Sequence, residues 1–181
     1  MQKKALFVSD IQRYFFCPSS KAYIRDSEKI VEKINVLTRL YENRSHFIIF
    51  TGFVDSERQS SPMRKWWNHM PSYEESRLYE KLYVPKHSCI ITKYSYSAFA
   101  GTRLENELRD KKVEDILFCG VMTHLCVESN VRNAFELGYL CRVVKDCCAS
   151  SRPSLHRASL AVMEHGFAQI TTLKEIIEEN K

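Results

Sequence analysis

The stretch DILFCGVMTHLCVESNVRNAFELGY, Asp115–Tyr139, sets the architecture of the chain. Its first seven residues are almost continuously apolar, the pattern of a strand buried on both faces of a parallel sheet. The residues after them have helical period. Val127, Val131, Ala134 and Leu137 fall on one face, and Gly138 supplies a stop signal. A strand that turns directly into a helix is the repeating unit of an α/β fold. Cys126 sits in the first turn of that helix, just past the carboxyl end of the strand.

The same strand pattern recurs in ALFVSD (5–10), HFIIFTGF (46–53), SCIITKY (88–94), LCRVVKD (140–146) and FAQITTL (167–173). Helical stretches lie between them. In 26–44, Ile30, Ile34, Leu37 and Leu40 or Tyr41 form one apolar stripe. TRLENELRDKK (102–112) opens with Thr102 and has Glu105 three residues later, a capping-box pattern. SLHRASLAVMEHG closes on Gly166, and LKEIIEEN ends the chain. Strands alternating with helices predict a three-layer α/β/α fold with a Rossmann-like, mostly parallel six-stranded sheet. Residues 1–181 read as one domain. The exception to the alternation is residues 54–86, a long connection with both tryptophans and three prolines. Such a segment reads as a lid over a site or as an interface.

Of the 181 residues, 44% are apolar, enough for a substantial core. The net charge of +5 is spread over 27 basic and 22 acidic residues without a long single-sign run, so no nucleic-acid or membrane partner is expected. No apolar run is long enough to span a bilayer. The opening MQKKALFVSD lacks the pattern of a signal peptide, so the expected location is cytoplasmic. The seven cysteines then read as reduced thiols rather than a disulfide framework.

In an open parallel sheet, ligands bind beyond the carboxyl ends of the strands. Asp10 ends the first strand and Lys93 the third. Thr123, His124 and Cys126 follow the fourth, and Asp146 ends the fifth. An acid, a cation and a thiol at one edge make a coherent set. A helix N-terminus and an ammonium both favour a thiolate, the nucleophilic form of cysteine. Asp10 is placed to carry the proton as general base and then general acid. Backbone N–H groups where the strand turns into the helix are placed to hold an oxyanion. Taken singly, each residue has a plainer reading: packing for Cys126, a turn cap for Asp10, a solvated strand end for Lys93.

Three blocks together resemble the isochorismatase-like cysteine hydrolase superfamily: FVSDIQRYFF (7–16), ITKYSYSAFAGTRLENELR (91–109) and ILFCGVMTHLCVESNVRNAFELGYLCRVVKDCCAS (116–150). The resemblance implies a catalytic triad of Asp10, Lys93 and Cys126. It implies a cis peptide between Val121 and Met122, and an oxyanion hole from the N–H groups of Met122 and Cys126. It points to Gln12, Phe15, Phe16, Trp66, Thr123 and His124 as substrate-binding residues. It implies a homo-oligomer acting on a small molecule, without a cofactor. Metal-dependent members of this superfamily carry a close set of Asp and His after the second strand. Here Asp55 and the distant His69 are all that correspond, so no metal is expected.

The presence of Cys126 favours acyl transfer at an amide or carbamoyl C–N bond. An ether hydrolase on the same scaffold and a non-catalytic binding protein stay open at this point. In the long connection, Arg58 and Arg64 are candidate partners for a substrate carboxylate. Trp66 and Trp67 there serve either the substrate or the packing of the loop.

Overall fold

The computed structural model describes residues 3–25, 27–56 and 61–181. Six strands form one sheet: β1 (Lys4–Ser9), β2 (Phe47–Phe53), β3 (Cys89–Lys93), β4 (Asp115–Val121), β5 (Leu140–Ala149) and β6 (Gln169–Thr171). Their order is β3-β2-β1-β4-β5-β6, and every neighbouring pair is parallel. The apolar runs are strands because both faces of the sheet are covered. All of β4 and all of β1 beyond Lys4 are buried. The helices among the described residues are α1 (Arg13–Phe16), α2 (Glu28–Asn43), α3 (Pro62–Trp66), α4 (Leu104–Asp110), α5 (Glu128–Glu136), α6 (Pro153–Gly166) and α7 (Leu173–Glu179), and all but α3 bury side chains.

Helix α2 buries Ile30, Ile34, Leu37 and Tyr41, four residues at the helical repeat. Helix α5 buries Val131 and Ala134, but it stops at Glu136. Leu137 therefore lies beyond the stripe and is exposed, not packed as its spacing predicts. The capping box expected at Thr102 and Glu105 does not form. Helix α4 begins two residues later, Glu105 pairs with Arg109, and the Thr102 hydroxyl accepts the Leu104 N–H. The capping box lies instead at α7, between Thr172 and Glu175.

The sheet winds outward from β1 through β2 to β3, then restarts beside β1 with β4. Strand order thus reverses between β1 and β4, the switch point beyond whose carboxyl ends an open parallel sheet binds its ligands. Ser9 of β1 stands opposite Gly120 of β4. Gly120 has φ +113, and a Cβ added there would lie 2.2 Å from the Ser9 carbonyl oxygen. Only glycine lets the two backbones approach this closely at the switch point.

Strand β5 runs three residues past Asp146, so this aspartate does not end its strand. Its carboxylate accepts the Leu173 N–H at the start of α7 and pairs with Lys33 of α2. No helix among the described residues is long and apolar enough to cross a membrane.

Candidate active site

Asp10 follows β1 in the left-handed region, with φ 52. Thr51 of β2 holds it there from the neighbouring strand. The Thr51 hydroxyl accepts the Asp10 N–H at 3.2 Å and donates to Asp10 Oδ1 at 2.6 Å. Lys93 closes β3, and its side chain is 0% exposed. Its Nζ lies 2.8 Å from Asp10 Oδ2, 3.4 Å from Cys126 Sγ and 2.9 Å from the Ser95 carbonyl oxygen. Asp10 Oδ2 is thus ion-paired with Lys93 but accepts no hydrogen bond of good geometry.

Cys126 is carried on a π-helical turn, Thr123–Val127, wedged between β4 and α5. The Val121–Met122 peptide that leads into it is cis. The Met122 carbonyl accepts the N–H groups of Leu125 and Val127. Polar side chains bolt the turn in place. The Thr123 hydroxyl donates to the Ala149 carbonyl, so His156 Nδ1, 2.8 Å from that oxygen, donates to it. The Ser159 hydroxyl, with one proton to give, lies 3.1 Å from the Thr123 carbonyl and 2.6 Å from the Glu128 carboxylate. Asn130 donates to the carbonyls of Cys126 and Tyr96 and accepts the Ala98 N–H. Asn130 therefore ties the turn to the chain just beyond Lys93.

A cavity of about 590 Å³ opens onto the Cys126 turn, with Met122, His124, Leu125 and Cys126 on its wall. Tyr14, Phe15, Phe53 and Tyr96 line it, as do Trp66 and Trp67 of the 54–86 segment. A larger groove of about 730 Å³ lies at the opposite, amino-terminal edge of the sheet, among Lys4, Asp115, Leu140 and Gln169. Neither Asp10, Lys93 nor Cys126 reaches it, so its size carries no chemistry.

The sequence profile of the isochorismatase domain matches residues 4–175. The chain belongs to the isochorismatase family. The uncharacterized isochorismatase family protein YddQ of Bacillus subtilis is 24% identical over 184 residues, covering 96% of this chain and 98% of that one. The ureidoacrylate amidohydrolase RutB of Acinetobacter baylyi is 30% identical over 101 residues, 55% of this chain and 41% of that one. A cysteine hydrolase from Pseudomonas syringae superposes with a TM-score of 0.91 at 23% identity, covering 98% of this chain and 92% of that one.

In this isochorismatase-family chain, burial and the nearby Asp10 carboxylate push the Cys126 thiol up to about 12, and Lys93 offsets them only in part. The sequence alone suggests the opposite direction. The difference is physical. Cys126 is only 5% exposed, and one ammonium cannot neutralise a carboxylate and a thiolate together where water screens them little. Burial opposes the Lys93 charge too, but Asp10 and Cys126 outweigh it and raise its pKa. At rest Cys126 is therefore a thiol beside the Lys93 ammonium.

Several expected substrate contacts prove to be structural. Gln12 is fully buried away from the cavity. Its amide donates to the Phe53 and Ser76 carbonyls and accepts the Phe53 N–H, clamping β1's exit to β2 and to the 72–78 turn. Phe16 faces the core and stacks on Tyr79, whereas its neighbour Phe15 reaches the cavity wall. Thr123 spends its hydroxyl on the turn. His124 does line the cavity, with Nδ1 3.0 Å from the Ser150 hydroxyl. Trp66 lines it too, while staying 77% exposed at the mouth.

Arg64 is no candidate for a substrate carboxylate, because it forks onto both oxygens of Asp55. Arg58 lies outside the described residues. The residues present do not fit a metal ion. Asp55 commits its carboxylate to Arg64, and no three His, Cys, Asp or Glu side chains gather among the described residues. Sequence reasoning missed Thr51 and Asn130. The signal for each was a lone polar residue in an otherwise apolar face.

Proposed function

We propose that this protein is a cysteine hydrolase that cleaves an amide or carbamoyl C–N bond of a small molecule through a thioester on Cys126. The observation that carries this reading is one buried ammonium, Lys93, in contact with both the Asp10 carboxylate and the Cys126 sulfur at the cavity wall. The likeness to an amidohydrolase over 101 residues supports the choice of bond.

Because the resting thiol is protonated, attack requires a base in contact, and Asp10 Oδ2 is the oxygen left open by hydrogen bonding. As sulfur bonds to the carbonyl carbon, its proton passes to Asp10 and the carbonyl π pair moves to oxygen. The N–H groups of Met122 and Cys126 hold that oxyanion. The intermediate collapses, the C–N bond breaks, and Asp10 returns the proton to the leaving nitrogen. Water then attacks the thioester. Asp10 takes the water's proton and gives it to the departing sulfur. Lys93 balances whichever partner bears the negative charge at each step. Its burial holds the charge where water cannot screen it.

The reading takes Met63 and residues 66–70 as a wall of the site and places the protein in a reducing compartment, in keeping with seven free thiols. Replacing Cys126 with Ala tests the mechanism on any amide that wild type hydrolyses from a panel of small amides and ureas. Loss of a nucleophile costs at least ~10³-fold in kcat. An unchanged rate in C126A refutes the mechanism. Turnover of isochorismate with pyruvate release, and of no amide, identifies an ether hydrolase instead.

A further inference from the structure

Lys93 and Cys126 lie 3.4 Å apart, yet the sheet does not hold them together. Lys93 closes β3 and the Cys126 turn follows β4, with β2 and β1 between those two strands. Strand pairing therefore leaves the gap between ammonium and sulfur to contacts made beyond the carboxyl ends. Asn130, 0% exposed near the start of α5, makes such contacts on both sides of the gap. Its amide nitrogen donates to the Cys126 carbonyl at 2.6 Å and to the Tyr96 carbonyl at 3.2 Å, and its amide oxygen accepts the Ala98 N–H at 2.7 Å. Two carbonyls and one N–H fit only one orientation of the amide, so both of its donors are committed. One helical turn on, the Asn133 amide oxygen accepts the Ser97 hydroxyl at 2.5 Å. The gripped segment starts beside Ser95. Among the described residues, the Ser95 carbonyl is the one hydrogen-bond partner of Lys93 Nζ apart from Asp10 and the sulfur itself. For α5 alone an apolar residue at 130 would serve better, because asparagine forms helix poorly and a buried amide costs free energy unless satisfied.

Resting on the cysteine hydrolase reading, we infer that Asn130 is a positioning residue for that reaction. It holds the nucleophile turn and the 95–98 segment in one grip and so sets the gap between the Lys93 ammonium and the Cys126 sulfur. Asn133 is a second, outer latch on the same segment. The pull of the ammonium on the sulfur is strongest as the thiol gives up its proton. The grip therefore acts on attack rather than on substrate affinity, and its loss lowers kcat with little change in KM. A gap about 1.5 Å wider weakens that pull by roughly 10-fold in rate, taking an effective dielectric near 20.

Iodoacetamide tests this without knowledge of the substrate. The Cys126 sulfur bonds to its methylene carbon, iodide leaves with the C–I pair, and the thiol proton is released. Mass spectrometry of the peptide bearing Cys126 gives the rate constant. Asn130→Ser keeps a hydroxyl able to bond the Cys126 carbonyl four residues back but too short to grip 96–98. Asn133→Ala removes only an exposed side chain and leaves the buried grip in place. Each is made in wild type and in Lys93→Met. On the wild-type background the rate is expected to fall about 10-fold in Asn130→Ser and by a smaller, measurable factor in Asn133→Ala. On the Lys93→Met background neither substitution should slow alkylation further, because the partner it acts through is gone. Equal proportional losses on both backgrounds would show an effect on access to the turn and overturn the proposal. Wild-type rates in both single variants overturn it as well. Because Asn133→Ala alters the surface alone, the comparison stands even if Asn130→Ser does not fold. Lys93→Met by itself should slow alkylation. If it does not, the role given to Lys93 in the underlying reading fails, and the proposal falls with it.

Discussion

Replacing Lys93 with Met is the most informative single perturbation of the site. Lys93 and Asp10 are both 0% exposed and lie 2.8 Å apart. Methionine keeps the length and apolar bulk of the lysine stem but removes the charge. The Asp10 carboxylate is then left with the Thr51 hydroxyl as its side-chain donor and no counter-ion. Breaking a buried pair from one side costs about 3–5 kcal/mol, because an uncompensated charge remains in the interior. Set against a typical stability of about 5–15 kcal/mol, the variant should fold but with a sharply lowered midpoint. Asp10→Asn removes the ammonium's counter-charge and leaves it only neutral acceptors, the Ser95 carbonyl among them, and should cost a comparable amount. The double variant D10N/K93M strands no charge. It should be less destabilised than the sum of the two singles by about 2–3 kcal/mol. The assay is urea unfolding at pH 7 in reducing buffer, followed by circular dichroism. A cost below about 1 kcal/mol for K93M, or strict additivity in the double variant, would refute the picture of a dry, mutually dependent pair.

Gly120→Ala places a Cβ 2.2, 2.7 and 2.9 Å from the Ser9 O, N and C atoms, one residue before Asp10. It should cost more than about 4 kcal/mol or abolish soluble expression, and a wild-type urea midpoint would contradict the close approach of β1 and β4. Stability should also fall in alkali. Burial pushes Cys126, Cys141 and Cys147 each up to about 12, whereas the unfolded thiols titrate near ~9. These acids have raised folded pKa values, so their contribution is intact below pH ~9 and is lost as pH climbs toward 12. Each costs about 1 kcal/mol per pH unit in that window, so the three together cost roughly 3–4. A urea midpoint that does not move between pH 8 and pH 10 would show that these thiols are not held protonated by the fold.

The strands were legible because burial on both faces leaves a compositional signature that needs no knowledge of neighbours. ALFVSD and DILFCGV could hardly be anything else. The strand-end rule then brought Asp10, Lys93 and Cys126 together. The supporting contacts were not legible, because they join residues far apart in sequence. Thr51 reads as a β-branched strand former, and only the pairing of β1 with β2 reveals that it clamps Asp10, 41 residues away. Asn130 reads as a lone polar residue on the apolar face of α5, and only the 96–98 segment shows what it binds. Gln12 sits close enough to Asp10 to suggest a substrate contact, yet its amide is spent on the backbone of β2. The direction of the Cys126 shift was missed for a related reason. Charge partners can be guessed from sequence, but near-complete burial of the thiol is a property of the packed fold.

The central claim is a covalent intermediate on Cys126, and single-turnover rapid quench followed by mass spectrometry tests it most directly. With an amide that wild type hydrolyses, the peptide bearing Cys126 should gain the mass of the acyl or carbamoyl group within the first turnover, and the gain should decay as acid product appears. Turnover with no added mass on that peptide at any time, together with full activity in C126A, would contradict the account.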